Sequence, residues 1–348
     1  MEVKKVPNKV VVIGGSIAGL EAAINFSEFC DNVVVFEEHK EIGKPLQCAE
    51  GWIHFTGVKP YINGRKINEV DVILLDKRYN PKTTFNMKIN GSVEIINRPE
   101  MEKKMAKMAE DMGAQIFTGT KVRSLIELTK MFSDYDLIVD ASGYPSQWCR
   151  EFGGKKPCTS TVQATCEKDT DKITILLHPD LDGYFWIFPM ADGGSKVGVG
   201  SFTKPKAPLR KLLDDMLVVT GLYDDGFVPA SYTGGLIGCY RNSPFVRELD
   251  GIKVALVGDA AGIVDTFAAE GMTKAVISSR ILAECAREGR IYDYEREYYR
   301  KMRWHYTLAS VFTYLRRNQY LLKFIAKTRI LRFAKRVALG LSSGVYGR

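Results

Sequence analysis

Apolar residues fall along this chain in two rhythms. The first is a set of short unbroken runs: Lys9 to Ile13 (KVVVI), Asn32 to Phe36 (NVVVF), Leu137 to Val139 (LIV) and Val254 to Val257 (VALV). Runs this short, rich in β-branched residues and without polar alternation, predict strands buried on both faces, as in a parallel sheet covered by helices. Helix-forming stretches sit beside them: LEAAINF after Gly19, Glu100 to Met112, and a long small-residue segment after Glu270-Gly271-Met272. The second rhythm is a series of strand-like segments separated by turns, Lys172–Leu177, Gly183–Phe188, Lys196–Phe202 and Ser231–Gly238. It predicts an antiparallel sheet. The expected architecture is α/β. A Rossmann-type dinucleotide-binding domain is assembled from residues 1–72, 98–158 and 245–290, with an antiparallel-sheet substrate domain inserted as 73–97 and 159–244. A basic helical segment follows over 291–348.

The first run enters Gly14-Gly15-Ser16-Ile17-Ala18-Gly19, then a helix, then a second strand ending at Glu37. That is the β-α-β order of a dinucleotide site. Gly14 permits the tight turn, Gly19 lets helix and strand pack closely, and the free amides at the helix start suit a pyrophosphate. Ser16 stands where the G-x-G-x-x-G pattern has its middle glycine. Glu37, 23 residues after Gly14, sits where an acid bonds ribose hydroxyls, with Glu38 the alternative if the register shifts. Asp136–Gly143 (DLIVDASG) and Gly258–Gly262 (GDAAG) are two further strand-to-turn junctions. Asp259 at such a strand end accepts from ligand hydroxyls or caps a helix. Gly193-Gly194-Ser195 enters an alternating strand, so it reads as a hairpin turn, and no second dinucleotide fold is expected.

In this order, GGSIAG, DLIVDASG and VGDAAG resemble the FAD flavoproteins of the p-hydroxybenzoate hydroxylase superfamily. Two motifs narrow the match: Pro45-Leu46-Gln47-Cys48-Ala49-Glu50-Gly51, and a complete Y-x-W-x-F-P box at Tyr184–Pro189. Both are similar to the geranylgeranyl reductases, above all the archaeal digeranylgeranylglycerophospholipid reductases. The resemblance covers residues 1 to about 290. It implies FAD held by Gly14, Ser16, Ile17, Ala18, Gly19, Glu37, Glu38, Cys48, Ala49, Arg98, Val122, Ser142, Gly143, Asp259, Gly271 and Met272. It also implies a reductase that saturates C=C bonds of prenyl chains of membrane lipid precursors, with Cys48, Tyr184, Trp186 and Phe188 as the catalytic set. Cys48 would lie beside the flavin as a proton donor, a polariser of a donor water or a redox gate; by residue type alone it is a small hydrophobe. Three positions depart from the pattern. Ser142 stands where the superfamily often has Asp, Thr266 where the family has Pro, and Ala268-Ala269-Glu270-Gly271 where it has a glycine-rich stretch.

The strand period of two puts Tyr184, Trp186 and Phe188 on one face, with Tyr232 and residues near Leu236 expected opposite them. An isolated trisubstituted alkene must accept a proton on one carbon and a hydride on the other, so positive charge gathers at the tertiary carbon. Aromatic faces stabilise such charge by about 0.5–2 kcal/mol each. Glu50 and His54 are further acids close in sequence, while His39, His178 and His305 read as unpaired surface or structural residues.

Composition narrows the setting. The seven cysteines are odd in number and lack C-x-x-C or Cys/His ligand spacing, so neither a disulfide scaffold nor a metal site is expected. MEVKKVPNK lacks the apolar core of a signal peptide, and no stretch reaches 18 uncharged apolar residues. A cytoplasmic chain without a membrane span is expected. The net charge of +8 is uneven: residues 291–348 carry 13 Lys and Arg against 3 Asp and Glu, and the remainder 36 against 38. On a helical wheel Ile330, Leu331, Phe333, Ala334, Val337, Ala338 and Leu341 share one side and Arg329, Arg332, Lys335 and Arg336 the other. That pattern reads either as a peripheral seat on the anionic inner face of the membrane or as an ordinary helix closing the substrate domain. No nucleic-acid partner is expected. The electron donor is left open between NADPH and a ferredoxin, and oligomeric state is not legible. Two other readings stay open: an FAD-dependent monooxygenase or halogenase on the same scaffold, and a non-catalytic flavin- or lipid-binding membrane-associated protein.

Overall fold

In the computed structural model, which describes residues 6–153, 159–239 and 241–318, the unbroken apolar runs become the middle of a six-stranded sheet. Its order is β13 (Val246–Leu249), β14 (Ile252–Leu256), β7 (Leu137–Asp140), β1 (Lys9–Ile13), β2 (Asn32–Phe36) and β6 (Gln115–Phe117). All pairs are parallel except the β13–β14 hairpin. Alternate residues of β1 face opposite sides, and both sides are covered. Val10 and Val12 pack with α1 (Ile17–Ser27), α2 (Arg98–Asp111) and α6 (Met272–Arg287). Val11 and Ile13 pack with Leu125 and Leu128 of α3 (Leu125–Met131), which precedes β7 and α4 (Gln147–Phe152). Two-sided burial removes the polar alternation, which is why these strands read as continuous apolar runs. Helix α2 starts at Arg98, two residues before the expected Glu100, because the Asn97 side chain accepts from the Glu100 amide at 3.2 Å and fixes the first turn.

The second rhythm becomes an eight-stranded sheet: β12 (Ser231–Ile237), β8 (Thr159–Cys166), β11 (Ser195–Ser201), β10 (Gly183–Pro189), β9 (Ile173–Leu177), β4 (Arg65–Leu75), β5 (Pro81–Ile95) and β3 (Gly51–Ile53). It is antiparallel apart from the β4–β9 pair. The sheet takes in the whole of β4, so it begins before the expected cut at residue 73, because Arg65 already pairs with Ile95 of β5. One face is sealed by α5 (Leu209–Val219), whose Leu209, Leu213, Met216 and Leu217 pack on Phe185, Ile187, Val197 and Val199. The opposite face of the same strands turns to the first sheet. The α/β expectation, with a Rossmann-type unit and a second, largely antiparallel sheet, holds.

Helix α7 (Tyr294–Arg317) closes the described chain. Tyr294, Tyr298 and Met302 are buried in the core shared with α6, and Arg316 and Arg317 reach Asp182 beside β10. The wheel pattern over 330–341 lies outside the described residues. Among the described residues no helix is long and apolar enough to cross a membrane.

Candidate functional site

Three strand ends of the first sheet open into one cleft of about 440 Å³, lined by Gly14, Ser16, Ile17, Ala18, Glu37, Glu38, Cys48, Arg98, Val122, Ser142, Gly143, Asp259, Gly271 and Met272. The turn after β1 is bare backbone for a steric reason. Gly14 adopts φ +104°, and a Cβ there would lie 2.5 Å from the Ala141 carbonyl oxygen. The first bond of α1 runs from the Leu20 amide to Ser16 O at 2.9 Å, and the Ser16 side chain makes no cap bond. The first-turn amides are therefore left for a ligand. Arg98 adds a cation at the same spot: it donates to Ser16 Oγ at 2.7 Å and to Glu102 Oε1 at 2.9 Å, and Ser16 Oγ donates to the same Glu102 oxygen at 2.6 Å. Burial works against the Arg98 charge, but Glu102 and Cys48 beside it hold its pKa above the ordinary value. An open backbone turn, free helix amides and a guanidinium make a fitting cradle for the pyrophosphate of FAD.

Glu37 ends β2 at the far side of the cleft, and its carboxylate accepts from the Gly15 amide at 2.6 Å and the His39 amide at 2.8 Å. His39 Nδ1 also lies 2.6 Å from it, so the expectation of an unpaired His39 is corrected. The chain turns back after Glu37 and lays the ring on the acid two residues earlier. Glu38 beside it also lines the cleft and is bonded to Lys121. At the other end, Asp259 is half-buried in the cleft wall, and its burial pushes its pKa up to about 6 against the Gly238 amide, which donates to Oδ2 at 3.3 Å. Two of the implied cofactor residues do not line the cleft. Gly19 lies in α1, where a Cβ would come 1.9 Å from Gly14 O, so it serves the close packing of helix on strand. Ala49 is carried on the Cys48 turn without facing the cavity.

That turn is clamped by a buried network whose members lie far apart in sequence. Lys196 of β11 is 3% exposed; its Nζ donates to Cys48 O at 2.9 Å and to Glu50 Oε2 at 2.5 Å. Gln163 of β8 donates to the same Cys48 carbonyl at 3.2 Å, and the Arg98 amide donates to Glu50 Oε1 at 2.9 Å. The Glu50 amide in turn donates to Cys48 Sγ at 3.2 Å. Cys48 thus faces the cleft from a turn whose position is fixed by both sheets. A charged residue at position 196, inside the otherwise apolar and glycine strand SKVGVGS, was the available hint.

Tyr184, Trp186 and Phe188 do share the face of β10 that turns away from α5, but none of them lines the cleft. Tyr184 Oη donates to Ala268 O at 2.7 Å. The Trp186 indole lies flat over Gly198, where a Cβ would meet the ring at 2.2 Å; its Nε1 has no partner among the described residues. Phe188 lies against Gly51. The strip therefore braces the 265–271 loop at one end and the Cys48–Gly51 turn at the other. Tyr232 is on the opposite face, packed against the α5 side and donating to Asp214; the β12 register sets it beside Ala164, which also faces α5. Leu236 does reach the cleft. His54 lies 3.4 Å from Glu94 and not in the cleft, and His178 stacks on Tyr79 with ring centroids 4.6 Å apart.

A second cavity, about 130 Å³, lies behind the 265–271 loop; Ile53, Phe267, Ala268, Trp304, Leu308, Ala309 and Phe312 form its apolar wall, and Thr56, Asp265, Glu270, Thr273, Lys274 and His305 complete the lining. The loop separates the two spaces by one thickness of backbone: Ala269 and Gly271 face the cleft, Ala268 and Glu270 the second cavity. Its anchor is a buried ion cluster that sequence reasoning missed. Lys274 Nζ donates to Asp265 at 2.8 Å and to Glu270 at 2.6 Å.

Comparison with known proteins agrees with this geometry. The model of a family described as FAD binding domain matches residues 9–73. The chain is 27% identical over 320 residues to a digeranylgeranylglycerophospholipid reductase 2 of Methanothermobacter thermautotrophicus, covering 80% of this chain and 77% of that protein. It is 24% identical to a digeranylgeranylglycerophospholipid reductase of Thermoplasma volcanium, covering 80% and 78%. Among solved structures, a geranylgeranyl bacteriochlorophyll reductase-like protein of Thermoplasma acidophilum superposes with a TM-score of 0.73 at 18% identity, covering 98% of this chain and 96% of the other. A flavin-dependent brominase superposes at 0.71 with 17% identity, covering 97% and 94%. Those two likenesses speak for the fold.

Proposed function

We propose that this flavoprotein of the geranylgeranyl reductase type saturates C=C bonds in the prenyl chains of membrane lipid precursors. The observation that carries the reading is the cleft between the two sheets: the glycine-rich turn, Arg98 and Asp259 line it together with Cys48, in a chain similar over four-fifths of its length to reductases of that name. Bound FAD, once reduced, supplies the hydride. The chain supplies the rest. Amides of α1 and Arg98 hold the pyrophosphate, Glu37 the adenosine ribose, and Asp259 the ribityl hydroxyls. Cys48 faces the alkene as the group that delivers or relays the proton to the second carbon, so each reduced bond gains one hydride and one proton. The aromatic strip of Tyr184, Trp186 and Phe188 backs the loops on either side of the reacting region and keeps water from it. Electrons come from NADPH or a ferredoxin. The basic C-terminal segment brings the enzyme to the anionic lipid surface where its substrate lies.

A halogenase reading would need a lysine offered to the substrate. Lys196, buried near the cleft, is instead bound to Glu50 and the Cys48 carbonyl. The test is direct. Protein purified without added ligand is expected to carry FAD, and the reduced enzyme is expected to raise the mass of a digeranylgeranyl lipid by two hydrogens per double bond. Absence of flavin, or an unchanged lipid mass with halide or oxygen consumed instead, overturns the reading.

A further inference from the structure

The cavity behind the 265–271 loop shares no lining residue with the cofactor cleft, and its accessible surface is almost wholly apolar. Its volume of about 130 Å³ is close to the roughly 150 Å³ of a dry apolar cavity that accepts benzene, so it has room for about six carbons. Three of its walls come from α7: Leu308, Ala309 and Phe312 face inward. Trp304 stands at the rim, lining the cavity while remaining 53% exposed. From that rim an apolar stripe runs outward along the same helix. Val311 is 50% and Tyr314 62% exposed, about two and about three turns further along. Arg300, Arg303 and Arg317 lie beside the stripe; Arg303 lies over the Trp304 ring at 5.3 Å, while Arg300 is paired with Glu297 and Arg317 with Asp182. From Tyr298 to Asn318 there are five Lys and Arg and no Asp or Glu; residues 319–348 add seven more and again no acid.

An exposed aromatic and aliphatic stripe with arginines beside it is the pattern of a helix that rests at a bilayer boundary, with its rings among acyl chains and its guanidinium groups among anionic head groups. A cavity that opens at such a stripe receives what the bilayer holds. We propose that the outer face of α7 rests on an anionic lipid surface, and that a lipid's isoprenoid chain enters past Trp304 and lodges its end in the cavity walled by Leu308, Ala309 and Phe312. This rests on the prenyl-reductase reading for the identity of the chain. It places that chain one backbone thickness from the cofactor cleft.

The experiment uses the full chain with vesicles of phosphatidylglycerol or phosphatidylcholine, with and without digeranylgeranyl glycerophosphate. Wild-type protein is expected to sediment with phosphatidylglycerol vesicles, and acyl-chain-brominated lipid is expected to quench a fluorescence component that Trp304→Phe removes. Val311→Glu/Tyr314→Glu, at exposed positions outside the cavity, is expected to weaken vesicle binding about tenfold or more. The same variant keeps full activity on detergent-dispersed lipid. Leu308→Trp, which fills the cavity, is expected to reduce the prenyl lipid retained through gel filtration about tenfold while leaving vesicle binding unchanged. Vesicle binding without Trp304 quenching, or equal binding by the double-glutamate variant, overturns the proposal, since the basic tail would then act alone. Reduction of detergent-dispersed lipid with no seating on vesicles sinks this inference but spares the reductase reading. Seating and retention without reduction do the reverse.

Discussion

Asp259 is a carboxyl with few friends in the unliganded chain. It is half-buried at the cleft, its firmest bond is the 3.3 Å contact from the Gly238 amide, and its burial lifts its pKa to about 6. An acid whose folded pKa stands above its unfolded value near 3.9 binds its proton more tightly when folded. Its contribution is therefore fully present below about pH 4 and is lost as pH rises through 6. Flavin-free protein is expected to lose thermal stability across that window, and Asp259→Asn to flatten the change; the melting midpoint measured from pH 4 to 7 checks it. An unaltered profile in the variant would show that other groups carry the pH dependence. The placement of Gly14, Glu37 and Asp259 on the cleft was legible beforehand, since each sits on a backbone turn or strand end that lies next to it in sequence. Lys196 was not. Its partners Cys48 and Glu50 are about 150 residues away, and no local pattern announces a partner at that distance.

Strands β10 and β11 show how pairing decides what alternation leaves open. The Y-x-W-x-F-P box correctly puts three rings on one face, because β10 is regular over its whole length. Tyr232 was assigned to the wrong side because SYTGGLI carries two glycines that erase the alternation, and only its register against β8 sets the face. Lys196 turns this hairpin into a clamp on the Cys48 turn. Removing one member of a buried ion pair leaves an uncompensated charge and costs about 3–5 kcal/mol. Lys196→Met is expected to be destabilised on that scale in urea unfolding. Lys196→Met/Glu50→Gln should recover a good part of the loss, and a double variant no better than the single would show that Lys196 acts mainly through the Cys48 carbonyl.

At the scale of the molecule, α7 is what ties the two sheets together at the C-terminal end of the described chain. Its first turns are buried with α6, and its last turn is held to the second sheet through Asp182. Arg316 Nη2 donates to Asp182 at 3.1 Å and Arg317 Nη2 at 2.8 Å, while the Arg316 guanidinium lies 4.4 Å over the Phe202 ring. Hydrogen bonds to charged groups contribute about 1.5–3 kcal/mol. Asp182→Asn is expected to speed amide exchange in residues 310–317 about tenfold or more, with β1 and β7 unchanged. Uniform acceleration across the chain would mean that the contact supports global and not local stability. The basic charge of this region had been visible from composition, but not that its first half is core: the buried tyrosines of α7 alternate with arginines that hide them from any average of hydropathy.

The interleaving of the two sheets carries a consequence for how the polypeptide comes into being. β1 and β2 are made within the first 36 residues, but the neighbour that flanks β7, β14, begins at residue 252, and α6, whose Ser279 bonds the Ala18 carbonyl at 2.8 Å, comes later still. During translation the opening β-α-β unit must wait, half covered, while more than two hundred residues emerge, the whole of the other sheet among them. Contacts so remote in sequence slow folding and leave apolar strand surface open to wrong partners. The nascent chain should therefore depend on holding factors until α6 has left the ribosome tunnel, and synthesis halted ahead of that point should yield an aggregation-prone fragment.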